Sequence, residues 1–276
     1  MTTHADVDLD DLSTDPFDVA RTAAAFLADA TGVAQHDVLL VLGSGWGGAA
    51  DLVGETVAEV DTGDIPGFTA PAVAGHSATT RSLRLPDGRH ALVFGSRTHL
   101  DEGRGVRRVV HGIRTAAAAG VRTVVLTNGC GGLRPWAPGT PVLIRDHINL
   151  TGASPLEGAT FVDLTDLYSP RLRELAREVD SSLDEGVYVQ FRGPQYETPA
   201  EVKMAGVLGG DLVGMSTTLE AIAARQAGLE ILGLSLVTNL AAGISETPLS
   251  HEEVLEAGQA AGPRISALLA EITHRI

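Results

Sequence analysis

Four side chains stand out by type and place: Ser44, Arg97, His99 and Ser216. Each lies just past a short apolar run. Ser44 follows "LLVL", Arg97 and His99 sit in "SRTHLDEG" after "ALVFG", and Ser216 follows "DLVG" and Met215. All four donate hydrogen bonds, and Arg97 adds a fixed positive charge. Together with backbone N–H groups near glycines, donors of this kind make an anion site. Ser216 also opens a helical pattern, whose N-terminal dipole would add to the attraction. Taken singly, the serines read as helix caps, Arg97 as a surface residue and His99 as a core histidine. The joint pattern favours the anion site.

The stretch "VLGSGWGG", residues 41–48, raises a competing reading. Gly43, Gly45 and Gly48 satisfy the G-x-G-x-x-G spacing of a dinucleotide-binding turn. That turn needs a βαβ unit and an acidic residue about 20 positions on. Asp61 supplies the acid. However, "GWGGAADLVG" makes only a short helix, and "DTGDIPGFTAPAVAGHS" reads as loop. A loop holding a free phosphate ion is the better-supported reading.

The elements that would position these residues are legible in outline. Apolar runs at 37–43, 90–96, 121–129, 140–148, 186–193 and 229–239 read as strands buried on both faces. Helical patterns lie between and around them: "PFDVARTAAAFLADATG", "GVRRVVHGIRTAAAAG", "SPRLRELAREVDSSL", "TPAEVKMAGVLGG" and "STTLEAIAARQAG". A last helix opens on a capping box, Ser250 with Glu253, and Pro263 offers a place for a kink. Alternating strands and helices imply an α/β fold around a mostly parallel central sheet. In such folds ligands gather past the carboxyl ends of the strands, where the four donors sit.

The bulk numbers narrow the function class. The chain has 276 residues, 32 of them Gly, and is 44% hydrophobic and 4% aromatic. That suits one α/β domain, expected over 17–276, with an aliphatic core and many tight turns. The formal net charge of −15 argues against a nucleic-acid or anionic-membrane partner. One cysteine, Cys130, allows no disulfide framework or Cys-based zinc cluster. The acidic N-terminus, 1–16, is expected to be a disordered tail and lacks the marks of a signal peptide, so a cytoplasmic protein is expected.

From about residue 17 onward the chain resembles the trimeric purine nucleoside phosphorylases that prefer 6-oxopurines, in particular their bacterial branch. The resemblance rests on segments in order: "GSGWGG", "GDIPGF", "GH" at 75–76, "SRTHLDEG", "TNGCGG", "RDHINLTG", "GPQYETPAE", "DLVGMST", "SLVTN" and "SHEEVL". It implies a nucleoside phosphorylase-like fold with a mixed, mostly parallel sheet flanked by helices. It implies attack of inorganic phosphate on a purine (deoxy)ribonucleoside, with no metal and no organic cofactor. Ser44, Arg97, His99 and Ser216 then match the phosphate ligands, with His76 flanking them and the backbone at Gly129 adding a donor. Glu197 matches the carboxylate that accepts from purine N1–H, and Asn239 the amide that bonds N7 and O6. The related methylthioadenosine phosphorylases carry Asp at the position of Asn239. Tyr196 and Val213 would line the base, and Met215 and His251 the ribose. Phe161 matches an aromatic that reaches a neighbouring subunit's site, which implies a homotrimer.

Three positions depart from the family's pattern. Ser96 stands where a glycine is usual, which matters if the backbone there needs a positive φ. Asp101 replaces a sugar-contacting tyrosine and brings negative charge toward bound phosphate, unless it pairs with Arg104, Arg107 or a ribose hydroxyl. "TNGCGG" replaces "TNAAGG", so Gly129 would enlarge the space beside base and sugar. A relative with a changed sugar, such as a methylthio-nucleoside phosphorylase, and a non-catalytic nucleoside-binding module remain as alternatives.

Overall fold

In the computed structural model, which describes residues 9, 11–69, 78–244 and 251–276, the organising strand is β1 (Val38–Val41). Its sequence is Val-Leu-Leu-Val, and all four residues are buried. It pairs in parallel with β4 (His90–Phe94) on one side and β5 (Thr123–Gly132) on the other. Successive strand side chains point to opposite faces, so Leu39 and Val41 enter one apolar core while Val38 and Leu40 enter a second. Truncating such a side chain to alanine typically costs roughly 2–5 kcal/mol.

Helices cover both faces. α1 (Pro16–Thr31), α3 (His111–Ala118) and α6 (Thr218–Gln226) pack on the first core. α4 (Pro170–Val179) and the long α7 (His251–Arg275) pack on the second, and α5 (Pro199–Val207) gives Val202 and Ala205 to a third, smaller cluster. α1 is bounded as its ends require: the Asp15 side chain caps Phe17 N–H, Pro16 fills the first turn, and Gly32 closes the helix at φ +71°. α7 stays helical on both sides of Pro263. The helical pattern at 105–119 is divided at Val110 into α2 (Gly105–Val109) and α3.

The other strands are β2 (Glu55–Asp61), β3 (Thr79–Arg84), β6 (Thr140–Asn149), β7 (Asp184–Gln190), β8 (Leu212–Gly214) and β9 (Glu230–Leu240). The sheet runs β2-β3-β4-β1-β5-β8-β7-β6-β9, and β9 pairs back onto β5. Five strands therefore close into a ring, with β1, β4, β3 and β2 extending from it. The sheet is mixed: β1/β4, β1/β5, β5/β9, β6/β7 and β7/β8 are parallel, the remaining pairs antiparallel. After β1 the chain makes a short 3-10 turn, Ala49–Leu52, and then β2, which pairs antiparallel at the sheet edge. No βαβ unit follows the glycine loop, so the dinucleotide reading fails on topology.

Residues 9 and 11–16 of the expected N-terminal tail are among those described. Leu9 is buried, and Arg107 Nη1 donates to the carbonyls of Asp11 (2.9 Å) and Thr14 (3.0 Å). The same guanidinium pairs with Glu157 at 2.6 Å and 2.8 Å, so main-chain acceptors tie this segment to the body. Among the described residues no helix is long and apolar enough to cross a membrane.

Candidate active site

The glycine loop after β1 is shaped by close approach. A side chain at Gly43 would meet Thr127 O at 2.5 Å and Arg97 Nη1 at 2.6 Å. Gly45 has φ +84°, and a Cβ there would press on Leu236 Cδ2 at 2.8 Å. The loop is pinned by Gly43 N–H to Thr127 Oγ1 (3.0 Å) and by Nε1 of the buried Trp46, which donates to Asn128 O (3.0 Å). Ser44 is thereby held beside the carboxyl end of β5.

A cavity of about 330 Å³ opens there. Ser44, Arg97, His99, Gly129 and Ser216 line it; so do Tyr196, Glu197, Val213 and Asn239, and Asp101 and Met215. These residues come from the loops and strand ends after β1, β4, β5, β7, β8 and β9. Four of the singled-out residues are not placed in it. His76 and Ser250 lie outside the described residues, and His251 opens α7 with its side chain likewise undescribed. Phe161 projects from a loop, 94% exposed and outside the cavity lining.

The cationic part is tightly built. Arg97 Nη1 donates to Thr127 O at 2.7 Å, and Nε lies 3.1 Å from Glu220 Oε2. Nη2 is buried and has no hydrogen-bond partner. His99 N–H donates to Glu102 Oε1 at 2.7 Å, and its Nδ1 lies 3.5 Å from the same oxygen. Burial pushes the Glu102 carboxyl up, but its contacts with His99 and the charge of Arg104 outweigh this and hold it below its ordinary value. Ser216 precedes α6 by two residues, and its N–H donates to the Tyr188 hydroxyl at 3.3 Å. Among the described residues only Thr217 is a non-glycine with positive φ. Ser96 therefore needs no glycine conformation.

The opposite chemistry, acceptor and amide, comes from the loops after β7 and β9. Glu197 is 8% exposed, and its Oε1 has no hydrogen-bond partner. Burial, with a smaller push from Glu201, raises its carboxyl above the ordinary value. Asn239 is aimed by a β-bulge: Cys130 faces Val237, Gly131 faces Asn239, and Thr238 is the extra residue between. Thr238 Oγ1 donates to Asn239 Oδ1 at 2.8 Å, and Asn239 Nδ2 donates to Leu240 O at 3.0 Å. One N–H of the amide is left over. The thiol of Cys130, buried in the wall, is pushed up to about 12 by burial, which makes it an inert small residue.

Two departures from the expected pattern gain a physical account. A Cβ at Gly129 would sit 3.1 Å from Ser44 O and 3.3 Å from Thr238 Cγ2, so the missing methyl eases contact with the Ser44 loop at the cavity wall. Asp101 lines the cavity, while Arg107 is committed to Glu157 and Arg104 lies 3.4 Å from Glu102. Neither arginine takes Asp101. Among the described residues no cluster of three His, Cys, Asp or Glu could hold a metal ion.

Residues 37–274 match the family model described as the phosphorylase superfamily. The chain belongs to that family. Within the phosphorylase superfamily it is 74% identical to a purine nucleoside phosphorylase from Cellulomonas sp., over 97% of this chain and 96% of that one. It is 55% identical to the purine nucleoside phosphorylase of Mycobacterium tuberculosis, over 95% and 97%. The structure of a Schistosoma mansoni purine nucleoside phosphorylase in complex with inosine superposes with a TM-score of 0.86 at 31% identity, covering 94% and 96%. The expected resemblance to bacterial purine nucleoside phosphorylases, and the α/β fold it implied, thus hold. Sequence reading passed over Glu220, Thr217 and Glu102, which fix the orientation of Arg97, Ser216 and His99. For Thr217 and Glu220 the one signal was the S/T-x-x-E spacing of a helix cap; Glu102 pairs with His99 in the same spacing, without the Ser or Thr that marks it.

Proposed function

We propose that this chain cleaves 6-oxopurine ribo- and deoxyribonucleosides with inorganic phosphate, releasing the free base and (deoxy)ribose 1-phosphate. The observation that carries this reading is that one cavity gathers the anion donors Ser44, Arg97, His99 and Ser216 together with Glu197 and Asn239. In the reaction a phosphate oxygen forms a bond to C1′ of the sugar. The bond from C1′ to the purine nitrogen breaks, and its electron pair leaves with the base. The proton lost by hydrogen phosphate balances the one the base takes up. Positive charge grows on the sugar and negative charge on the purine. The enzyme needs no nucleophilic side chain; it must place the anion under the sugar and stabilise the leaving ring.

Arg97, with Nη2 uncommitted, supplies the fixed charge for phosphate. Ser44, His99, Ser216 and the backbone at Gly129 add donors, and His76 flanks them on the strength of the resemblance. Glu197 accepts from N1–H, and the remaining N–H of Asn239 bonds N7. Tyr196 and Val213 line the base; Met215, Asp101 and His251 line the ribose. Formation of ribose 1-phosphate from inosine, followed by phosphorus NMR, tests the reaction. Accumulation of free ribose instead would refute it.

Phe161, an aromatic 94% exposed, supports a homotrimer in which it reaches a neighbouring site. Light scattering that returned the mass of a single chain would refute that assembly. A cytoplasmic setting belongs to the same reading.

Asp101 offers its carboxylate to a ribose hydroxyl, since Arg104 and Arg107 are engaged elsewhere. A negative charge several ångströms from phosphate weakens anion binding by about 1 kcal/mol, or roughly fivefold. Asp101→Asn is therefore expected to lower the phosphate KM by about fivefold. It should also narrow the preference for inosine over 2′-deoxyinosine. Steady-state kinetics with varied phosphate checks this, and an unchanged phosphate KM would count against it.

A further inference from the structure

We propose that Glu220 is a positioning residue for phosphate: its one buried carboxylate sets both the guanidinium of Arg97 and the turn that carries Ser216. The inference rests on the assignment of phosphate to Arg97 and Ser216 made above.

Three observations carry it. The first is the pairing with Arg97. The two side chains are only 3% and 4% exposed, and Arg97 Nε lies 3.1 Å from Glu220 Oε2 and 3.3 Å from Oε1. Nη1 is spent on Thr127 O. A guanidinium is planar, so fixing Nε and Nη1 fixes where Nη2 points. Nη2 is the buried nitrogen with no partner of its own.

The second observation is strain. Thr217 has φ +80° and ψ −48°, a conformation that side chains with a Cβ rarely adopt. It persists only where the surroundings over-determine it. Here Glu220 Oε2 accepts from Thr217 N–H at 3.0 Å, while Thr217 Oγ1 accepts from Asn128 Nδ2 at 2.9 Å. Ser216 Oγ lies 3.2 Å from Thr217 Oγ1. The backbone turn that aims Ser216 is thus held by the same carboxylate oxygen that faces Arg97.

The third is electrostatic. A buried carboxylate beside the site's fixed cation cancels much of the attraction for an anion. A site built for affinity alone would omit it. What the carboxylate gives in return is geometry, linking the loop after β4 to the loop after β8.

This separates shape from charge. A glutamine with its oxygen at the Oε2 position keeps the Thr217 N–H bond and the 3.1 Å approach to Arg97 Nε, while its amide nitrogen replaces the Oε1 that accepts from Nε at 3.3 Å. An aspartate keeps the charge but is one methylene too short to serve both. Initial rates of inosine phosphorolysis on the full chain, with phosphate varied and then inosine varied, decide the matter. Glu220→Asp and Glu220→Ala are expected to raise the phosphate KM about tenfold or more, with the inosine KM within about twofold. Glu220→Gln, which keeps the Thr217 bond, is expected to recover part of the loss in phosphate KM. A phosphate KM left unchanged by Glu220→Asp, or Glu220→Gln as impaired as Glu220→Asp, would overturn the inference. If Glu220→Ala fails to fold, the Asp and Gln pair still decides. Arg97→Ala distinguishes the levels. If it leaves the phosphate KM unchanged, the phosphate assignment itself fails. If it raises that KM while Glu220→Asp does not, only the role of Glu220 fails.

Discussion

Glu197→Gln is expected to lower kcat/KM for inosine by about 10- to 100-fold while raising the melting temperature of the ligand-free protein at neutral pH. The loss follows from replacing a charged acceptor for N1–H by a neutral amide, since a hydrogen bond to a charged group is worth about 1.5–3 kcal/mol. The gain in stability follows from the same burial. The Glu197 carboxyl sits above its ordinary value of 4.5, chiefly because burial disfavours its charged form, with Glu201 adding repulsion. A group whose folded pKa is raised adds stability that is fully present below the unfolded value. That stability is lost as pH rises through the folded value. Once ionised, the buried Glu197 carboxylate, whose Oε1 has no partner, therefore weighs against the ligand-free fold. A neutral glutamine removes that cost, and each ~1 kcal/mol recovered in a chain of this size is worth about 2–4 °C. The acid limb of kcat/KM should lie above 4.5 in the parent protein and vanish in the variant. A variant that is both less stable and fully active would contradict this account of Glu197.

Asn239→Asp is expected to cut inosine and guanosine turnover by about 10²–10³-fold, the usual loss when one donor to a developing charge is removed. Asn239 Oδ1 accepts from Thr238 Oγ1, and one N–H goes to Leu240 O. The remaining N–H is the donor offered to purine N7 as charge builds on the ring. An aspartate keeps the Thr238 contact but sets its second oxygen against the Leu240 carbonyl and gives N7 no donor. It does accept from a 6-amino group, so the ratio of adenosine to inosine cleavage rises. The absolute adenosine rate stays low, because Glu197 still faces an N1 that carries no hydrogen. Paired kcat/KM values for the two nucleosides measure this. An unchanged ratio would show that Asn239 does not read the base.

The central strands were readable because burial on both faces leaves no room for polar residues, as in Val38–Val41 and most of Glu230–Leu240. The edge was not. β2 faces solvent along most of its length, and β3 turns Thr80 and Ser82 inward, satisfied by Thr62 Oγ1 at 3.1 Å and His36 Nε2 at 2.9 Å. No apolar period marks such strands. Closure of β9 onto β5 was also hidden, since a strand's sequence does not say which neighbour it meets. At the site, the donors were readable from type and from their place past strand ends. The parts that aim them were not: the extra residue Thr238 in the bulge and the carboxylate of Glu220 look like ordinary strand and cap residues. The dinucleotide-like glycine spacing has a local cause. Gly43 must clear Thr127 and Arg97, and Gly45 must take a positive φ.

Base release from inosine, guanosine and adenosine, each with and without inorganic phosphate, tests the central claim most directly. The account predicts phosphate-dependent release from inosine and guanosine, and little or none from adenosine. Release without phosphate, or adenosine cleaved as readily as inosine, would contradict it.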